Sequence, residues 1–177
     1  MKKLLLIALI AVGFVFNSHA QENVLKVNPL GLAFGSLQLG YEHALSDKSS
    51  FQIDLAYVNY NVNLGLVSSK ATGFGVEGQY RFYVSSSKSA PRGWFFAPAI
   101  SYSSAKATSR SLTGKATAFS GGILAGYQWV FGGKDSGFAL DLNFGANYAN
   151  VSTSGDISSV KIDGIIPRIG LALGYAW

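Results

Sequence analysis

From Val24 to the C-terminus, large apolar residues alternate with small or polar ones in segments of roughly 10–15 residues. No other feature of the chain limits its fold as tightly. Leu37, Leu39 and Tyr41 alternate with Gln38, Gly40, Glu42 and Ala44. Phe51, Ile53, Leu55 and Tyr57 alternate with Gln52, Asp54 and Ala56, and Phe74, Val76, Tyr80 and Phe82 with Gly75, Glu77, Gln79 and Arg81. Phe138, Leu140, Leu142, Phe144 and Tyr148 alternate with Ala139, Asp141, Asn143, Gly145 and Asn147. A period of two places successive side chains on opposite faces of a strand. No segment after the first twenty residues sustains a helical period. Eight strands are expected: Val24 to Phe34, Leu37 to Leu45, Phe51 to Asn61, Thr72 to Val84, Trp94 to Ala105, Ala116 to Phe131, Phe138 to Val151 and Ile165 to Trp177.

Composition decides which face is inside. A soluble lipocalin-like barrel turns its apolar face inward and its charges to water. Here 49% of residues are hydrophobic and only 13% charged, against roughly 25% charged in soluble domains. The polar face is small and amide-rich. Its charges nearly balance: Glu42, Asp54, Glu77 and Asp141 against Arg81, Arg168 and Lys26. Such charges pair to offset desolvation in a narrow lumen. The expected fold is an all-β, eight-stranded antiparallel transmembrane β-barrel with short periplasmic turns and longer extracellular loops. The long polar connections run from Val62 to Ala71, Lys106 to Lys115 and Ser152 to Gly164; the tight ones include Ser46-Asp47-Lys48 and Gly132-Gly133-Lys134-Asp135. Trp94, Trp129, Tyr175 and Trp177 then form a periplasmic aromatic girdle, and Tyr57, Phe74, Tyr102, Phe119 and Tyr148 an outer one.

The ends of the chain agree. Lys2 and Lys3 precede an apolar run from Leu4 to Phe16, and Ser18 and Ala20 are small residues at signal-peptidase positions. Residues 1–20 are expected to be a cleaved signal peptide and 21–177 the outer-membrane barrel domain; an uncleaved anchor is the alternative. There is no cysteine, hence neither a disulfide nor a lipidated cysteine. The last strand alternates Ile169, Leu171, Leu173, Tyr175 and Trp177 with Arg168, Gly170, Ala172, Gly174 and Ala176. A terminal aromatic in such a strand is similar to the signal that barrel-assembly machinery reads in the bacterial outer membrane.

The chain from Val24 to Trp177 resembles the OmpA/OmpX-like class of small outer-membrane barrels. The segments Lys26-Val27-Asn28-Pro29-Leu30, Leu39-Gly40-Tyr41-Glu42 and Ile166-Pro167-Arg168-Ile169-Gly170-Leu171 look like a Bacteroidota barrel family, domain of unknown function 3575 (DUF3575). That resemblance implies an outer-membrane location and no established chemistry.

Residues that could carry chemistry are few. Beyond the leader the chain has one histidine, His43, with the outward parity of Tyr41, so an interfacial role outweighs a catalytic one. No His/Cys cluster has metal-ligand spacing, and no cofactor is expected. Glu42, Asp54, Glu77, Arg81, Asp141 and Arg168 are expected to form a buried structural network, with a gated ion path as the functional alternative. Eight strands leave a lumen that side chains fill. Gly73-Phe74-Gly75-Val76-Glu77-Gly78 matches a dinucleotide fingerprint but lacks the following helix. The net charge of +5 includes two leader lysines, and no basic stripe suggests nucleic acid. The candidate loop contacts are Lys106, Arg110, Lys115 and Lys161, facing lipopolysaccharide, outer-membrane lipid or an envelope protein partner. The expected function is non-enzymatic: a structural or interaction role at the cell envelope, including that of a subunit of a surface assembly. The alternatives are a narrow channel for ions or small solutes and, less favoured, a lipid-modifying enzyme.

Overall fold

Each alternating segment forms a strand, and each strand pairs antiparallel with the next. The computed structural model describes residues 22–33, 35–64, 67–109, 112–132, 136–156 and 161–177. The expected signal peptide lies outside them, as does Arg110. Among the described residues the strands are β1 (Asn23–Val27), β2 (Ser36–Ser46), β3 (Ser49–Leu64), β4 (Val67–Tyr83), β5 (Gly93–Ser109), β6 (Leu112–Gly132), β7 (Gly137–Gly155) and β8 (Lys161–Ala176). A five-residue helix, α1 (Pro29–Ala33), follows β1. The eight strands are hydrogen-bonded in sequence order, and β1 closes the ring on β8 from Val24↔Ala176 to Val27↔Leu173.

The ring is inverted relative to a soluble fold. Ile123, Ile165 and Ile169 are 67%, 77% and 86% exposed, whereas Glu42 and Gln128 on the inner face are fully buried. The inner face is not wholly polar. Tyr83, Phe95, Ala97, Ala99 and Leu124 pack together inside β4–β6. Among the described residues no helix is long and apolar enough to cross a membrane.

Two expectations from sequence are corrected. The first strand does not run to Phe34; it ends at Val27, and Phe34 itself falls outside the described residues. Pro29 has no N–H for a ladder and a φ suited to the first helical position. Asn28 caps that helix: its Oδ1 accepts the Gly31 N–H at 3.0 Å, and its Nδ2 donates to Gln38 Oε1 at 3.0 Å. Gly35 then turns the chain into β2 at φ 76°. Because β1 is short, β8 beyond Leu173 has no strand partner on that flank among the described residues, and α1 lies between β2 and β8 there. Pro167 sits on this half-paired strand, opposite Ala146, where a missing donor is tolerated.

The second correction concerns the long loops. The strands continue through most of them, pairing Asn61↔Lys70, Lys106↔Lys115 and Ser152↔Lys161. Serine and threonine end the apolar band without ending the ladder, since threonine suits a pleated strand. The chain therefore extends as paired hairpins beyond its apolar zone.

Candidate functional site

Strand parity aims one polar side chain after another into the ring. Lys26 comes from β1, Glu42 from β2, Gln52 and Asp54 from β3, Glu77, Gln79 and Arg81 from β4, Gln128 from β6, Asp141 from β7 and Arg168 from β8. All but Arg168 are buried.

The inner group is a double ion pair. Lys26 Nζ lies 2.5 Å from Glu42 Oε2 and 2.8 Å from Asp141 Oδ2, and also reaches Gln52 Oε1 at 2.7 Å and Gln128 Oε1 at 2.5 Å. Arg81 Nη1 donates to Asp141 Oδ2 and stands 3.5 Å from Glu42 Oε2. Its guanidinium carbon is 4.2 Å from the centre of the Phe95 ring, a cation–π contact. The second oxygen of Glu42 accepts from Ser50 Oγ at 2.5 Å and Tyr83 OH at 2.6 Å. Gln128 Nε2 ties the group to the Pro91 carbonyl at 2.6 Å. These charges are desolvated, and every carboxylate oxygen in the pair has a donor, the condition under which a buried ion pair is tolerated.

The second group brings two carboxylates face to face, since Asp54 is the direct cross-strand partner of Glu77. Gln79 Nε2 bridges them, 3.1 Å from Asp54 Oδ2 and 2.7 Å from Glu77 Oε1. Arg168 neutralises Glu77 through both terminal nitrogens, with Nη2 2.7 Å from Oε1. Asp54 receives only amide donors, from Gln79 and, at 2.8 and 2.9 Å, from Gln52. It is the one interior carboxylate with no cation within ion-pair distance among the described residues. Gly40 makes room for it: a Cβ there would stand 2.4 Å from Asp54 Oδ1.

A polar cavity of about 90 Å³ lies beside this group, bounded by Lys26, Asp54, Arg81 and Arg168. That is room for about three waters. Consecutive residues from Ile169 to Ala172 also line it, so it meets both faces of β8 along the flank that β1 leaves uncovered.

The structure thus gathers all six expected interior residues, together with Lys26, into one connected set. Ser50, Tyr83, Phe95 and Gln128 were not singled out from sequence, although Tyr83 shares the parity of Glu77, Gln79 and Arg81. Among the aromatics, Trp94 and Tyr175 are exposed, Trp129 is half-buried, and Trp177 is buried. Trp177 packs against Tyr41 and Tyr175 at ring distances of 6.4 and 6.3 Å. Trp129 and Trp94 both pack on Tyr127, at 4.4 and 5.0 Å. His43 has outward parity and shares a 2.9 Å hydrogen bond with Asn23 Oδ1, apart from the interior set. Lys106 and Lys115 are exposed neighbours on β5 and β6, and Lys161 begins β8 opposite Ser152.

No curated protein and no solved structure matches the chain. A family model does, over residues 4–155, so the segment from Ile166 to Leu171 that contributed to the resemblance lies beyond the match. The chain belongs to the DUF3575 family, a protein family of unknown function.

Proposed function

We propose that the chain is a non-enzymatic integral protein of the bacterial outer membrane: a transmembrane eight-stranded barrel with a plugged lumen and a structural or interaction role at the envelope. One observation carries the reading. The exposed outer face is built of Leu, Ile, Phe, Tyr and Trp while ion pairs occupy the interior, the arrangement a lipid-facing barrel needs. Where β1 closes on β8, from Val24↔Ala176 to Val27↔Leu173, the ring leaves no open edge, as lipid requires. The buried plug speaks against the channel reading, because Lys26 and Arg81 are buried and ion-paired in the interior that a permeant ion would have to cross. The interior carboxylates are taken up by cations, amides and, at Glu42, the buried hydroxyls of Ser50 and Tyr83 within one closed set of contacts, which supports the non-enzymatic reading. Residues 1–20 would direct export, the C-terminal strand would engage the barrel-assembly machinery, and outer-membrane lipid, lipopolysaccharide and an envelope protein would be the partners.

Cell fractionation with a gel of heated and unheated samples tests this. Recovery with the outer membrane and a band that shifts on boiling is the expected result. Release with the periplasmic contents and no shift would refute it in favour of a soluble barrel. A silent planar bilayer is expected from the refolded protein; steady unitary conductance would restore the channel.

A further inference from the structure

Lys106 and Lys115 are direct cross-strand partners on the outer face of β5 and β6. Like charges placed so are mutually destabilising. Both are exposed, and neither has an ionic or hydrogen-bonding partner among the described residues. The pairs around them form a graded column. Tyr102↔Phe119 is followed by Ser104↔Thr117, then Lys106↔Lys115, then Thr108↔Thr113. Thr72 flanks Lys106 on β4, and exposed Lys70 lies one step above it. Asp156, just past the end of β7, has its carboxylate engaged by the Thr113 N–H at 2.8 Å. Two lysines bracketed by hydroxyl pairs form a receptor for a phosphate, which accepts hydrogen bonds from both groups.

The surface below suits the rest of an amphiphile. A groove of about 340 Å³ runs under Lys106 between Tyr57, Thr72, Phe74 and Ser104. Past the Phe74–Tyr102 ring pair, 6.2 Å apart, lies an almost wholly apolar groove of about 470 Å³. Its walls include Phe51, Ile53, Val76, Tyr80 and Ile100, and it crosses Gly78, where an added Cβ would meet nothing closer than the Phe51 ring at 3.7 Å. The lysine pair stands two residues beyond Ser104, a rise along the strand of about 7 Å, which is the headgroup level above an aromatic belt.

We propose that this face holds a phosphorylated lipid of the outer leaflet, its phosphate between Lys106 and Lys115 and an acyl chain in the groove over Gly78. The inference rests on the outer-membrane reading and assigns that reading a ligand site.

Native mass spectrometry of the detergent-purified full chain, incubated with diphosphoryl lipid A, tests it. The wild type should retain one lipid A. K106Q/K115Q should weaken retention about twenty-five-fold, at about fivefold per surface lysine. Gly78→Leu, which fills the groove, should weaken it about fivefold. Dephosphorylated lipid A should bind no better than to K106Q/K115Q, and millimolar inorganic phosphate should not displace lipid A. Equal retention by wild type and K106Q/K115Q would overturn the proposal. So would displacement by inorganic phosphate alone, or a second copy of the chain occupying the face. The heat-shift gel is run on every variant: its loss in the wild type would defeat the outer-membrane reading itself, whereas unchanged lipid binding in a variant that keeps the shift defeats only this site.

Discussion

Replacing Lys26 with methionine removes one charge from a balanced, desolvated set while keeping the aliphatic stem. Lys26 is the shared cation of Glu42, at 2.5 Å, and Asp141, at 2.8 Å. Without it two buried carboxylates share Arg81, whose contact with Glu42 is already 3.5 Å. Leaving a buried charge uncompensated costs about 3–5 kcal/mol. K26M should lose that much unfolding free energy in a urea titration of the micelle-refolded protein. Glu42→Gln in the same chain restores the balance, because the glutamine carbonyl still accepts from Ser50 and Tyr83, which donate to Glu42 at 2.5 and 2.6 Å. The double variant should therefore be more stable than the sum of the single losses implies, by a coupling of about 2–3 kcal/mol. A K26M loss below about 1 kcal/mol, or strict additivity in the cycle, would show that water from the adjoining cavity solvates these groups and that burial does not couple them.

Three further tests address single contacts. Asp54→Asn should leave urea stability unchanged or raise it by about 1 kcal/mol, because the carboxylate has amide donors and no cation; a loss above that would reveal a partner for its charge. Tyr83→Phe should cost about 1.5–3 kcal/mol, the worth of a hydrogen bond to a buried carboxylate, read from the same titration. Asn28→Ala should cost about 1 kcal/mol through the lost helix cap and speed amide exchange in α1; unchanged exchange there would refute the capping role.

How much of this was legible in the sequence varies by residue. A period of two assigned the inner face wherever it held strictly, which is why Glu42, Asp54, Glu77, Arg81, Asp141 and Arg168 could be grouped before their contacts were known. The same rule reached Tyr83, but an aromatic on a polar face carries no charge signal, and the partner that explains it, Glu42, is 41 residues away. Gln128 was hidden in the same way, since its use depends on Lys26, 102 residues distant. The end of β1 was readable from Asn28-Pro29, a cap followed by a residue without an N–H, and was obscured by the apolar residues that continue beyond it. The long polar segments read as loops because a polar stretch resembles the end of a strand. It marks only where the outer face stops being apolar.

That last distinction changes what the polar segments can do. A true loop places Lys106 and Lys115 at positions set by a flexible path. A paired ladder fixes them opposite each other, above a known aromatic pair and beside a groove, at a height set by strand rise. The ion pairs inside the ring tie β1, β2, β4 and β7 together through Lys26, Glu42, Arg81 and Asp141, and β4 and β7 flank the β5–β6 pair that carries that outer face. The inner network is therefore best understood as the rigid support of an outward-facing surface. On the proposed reading these charges neither react nor conduct; they position what the outer face presents.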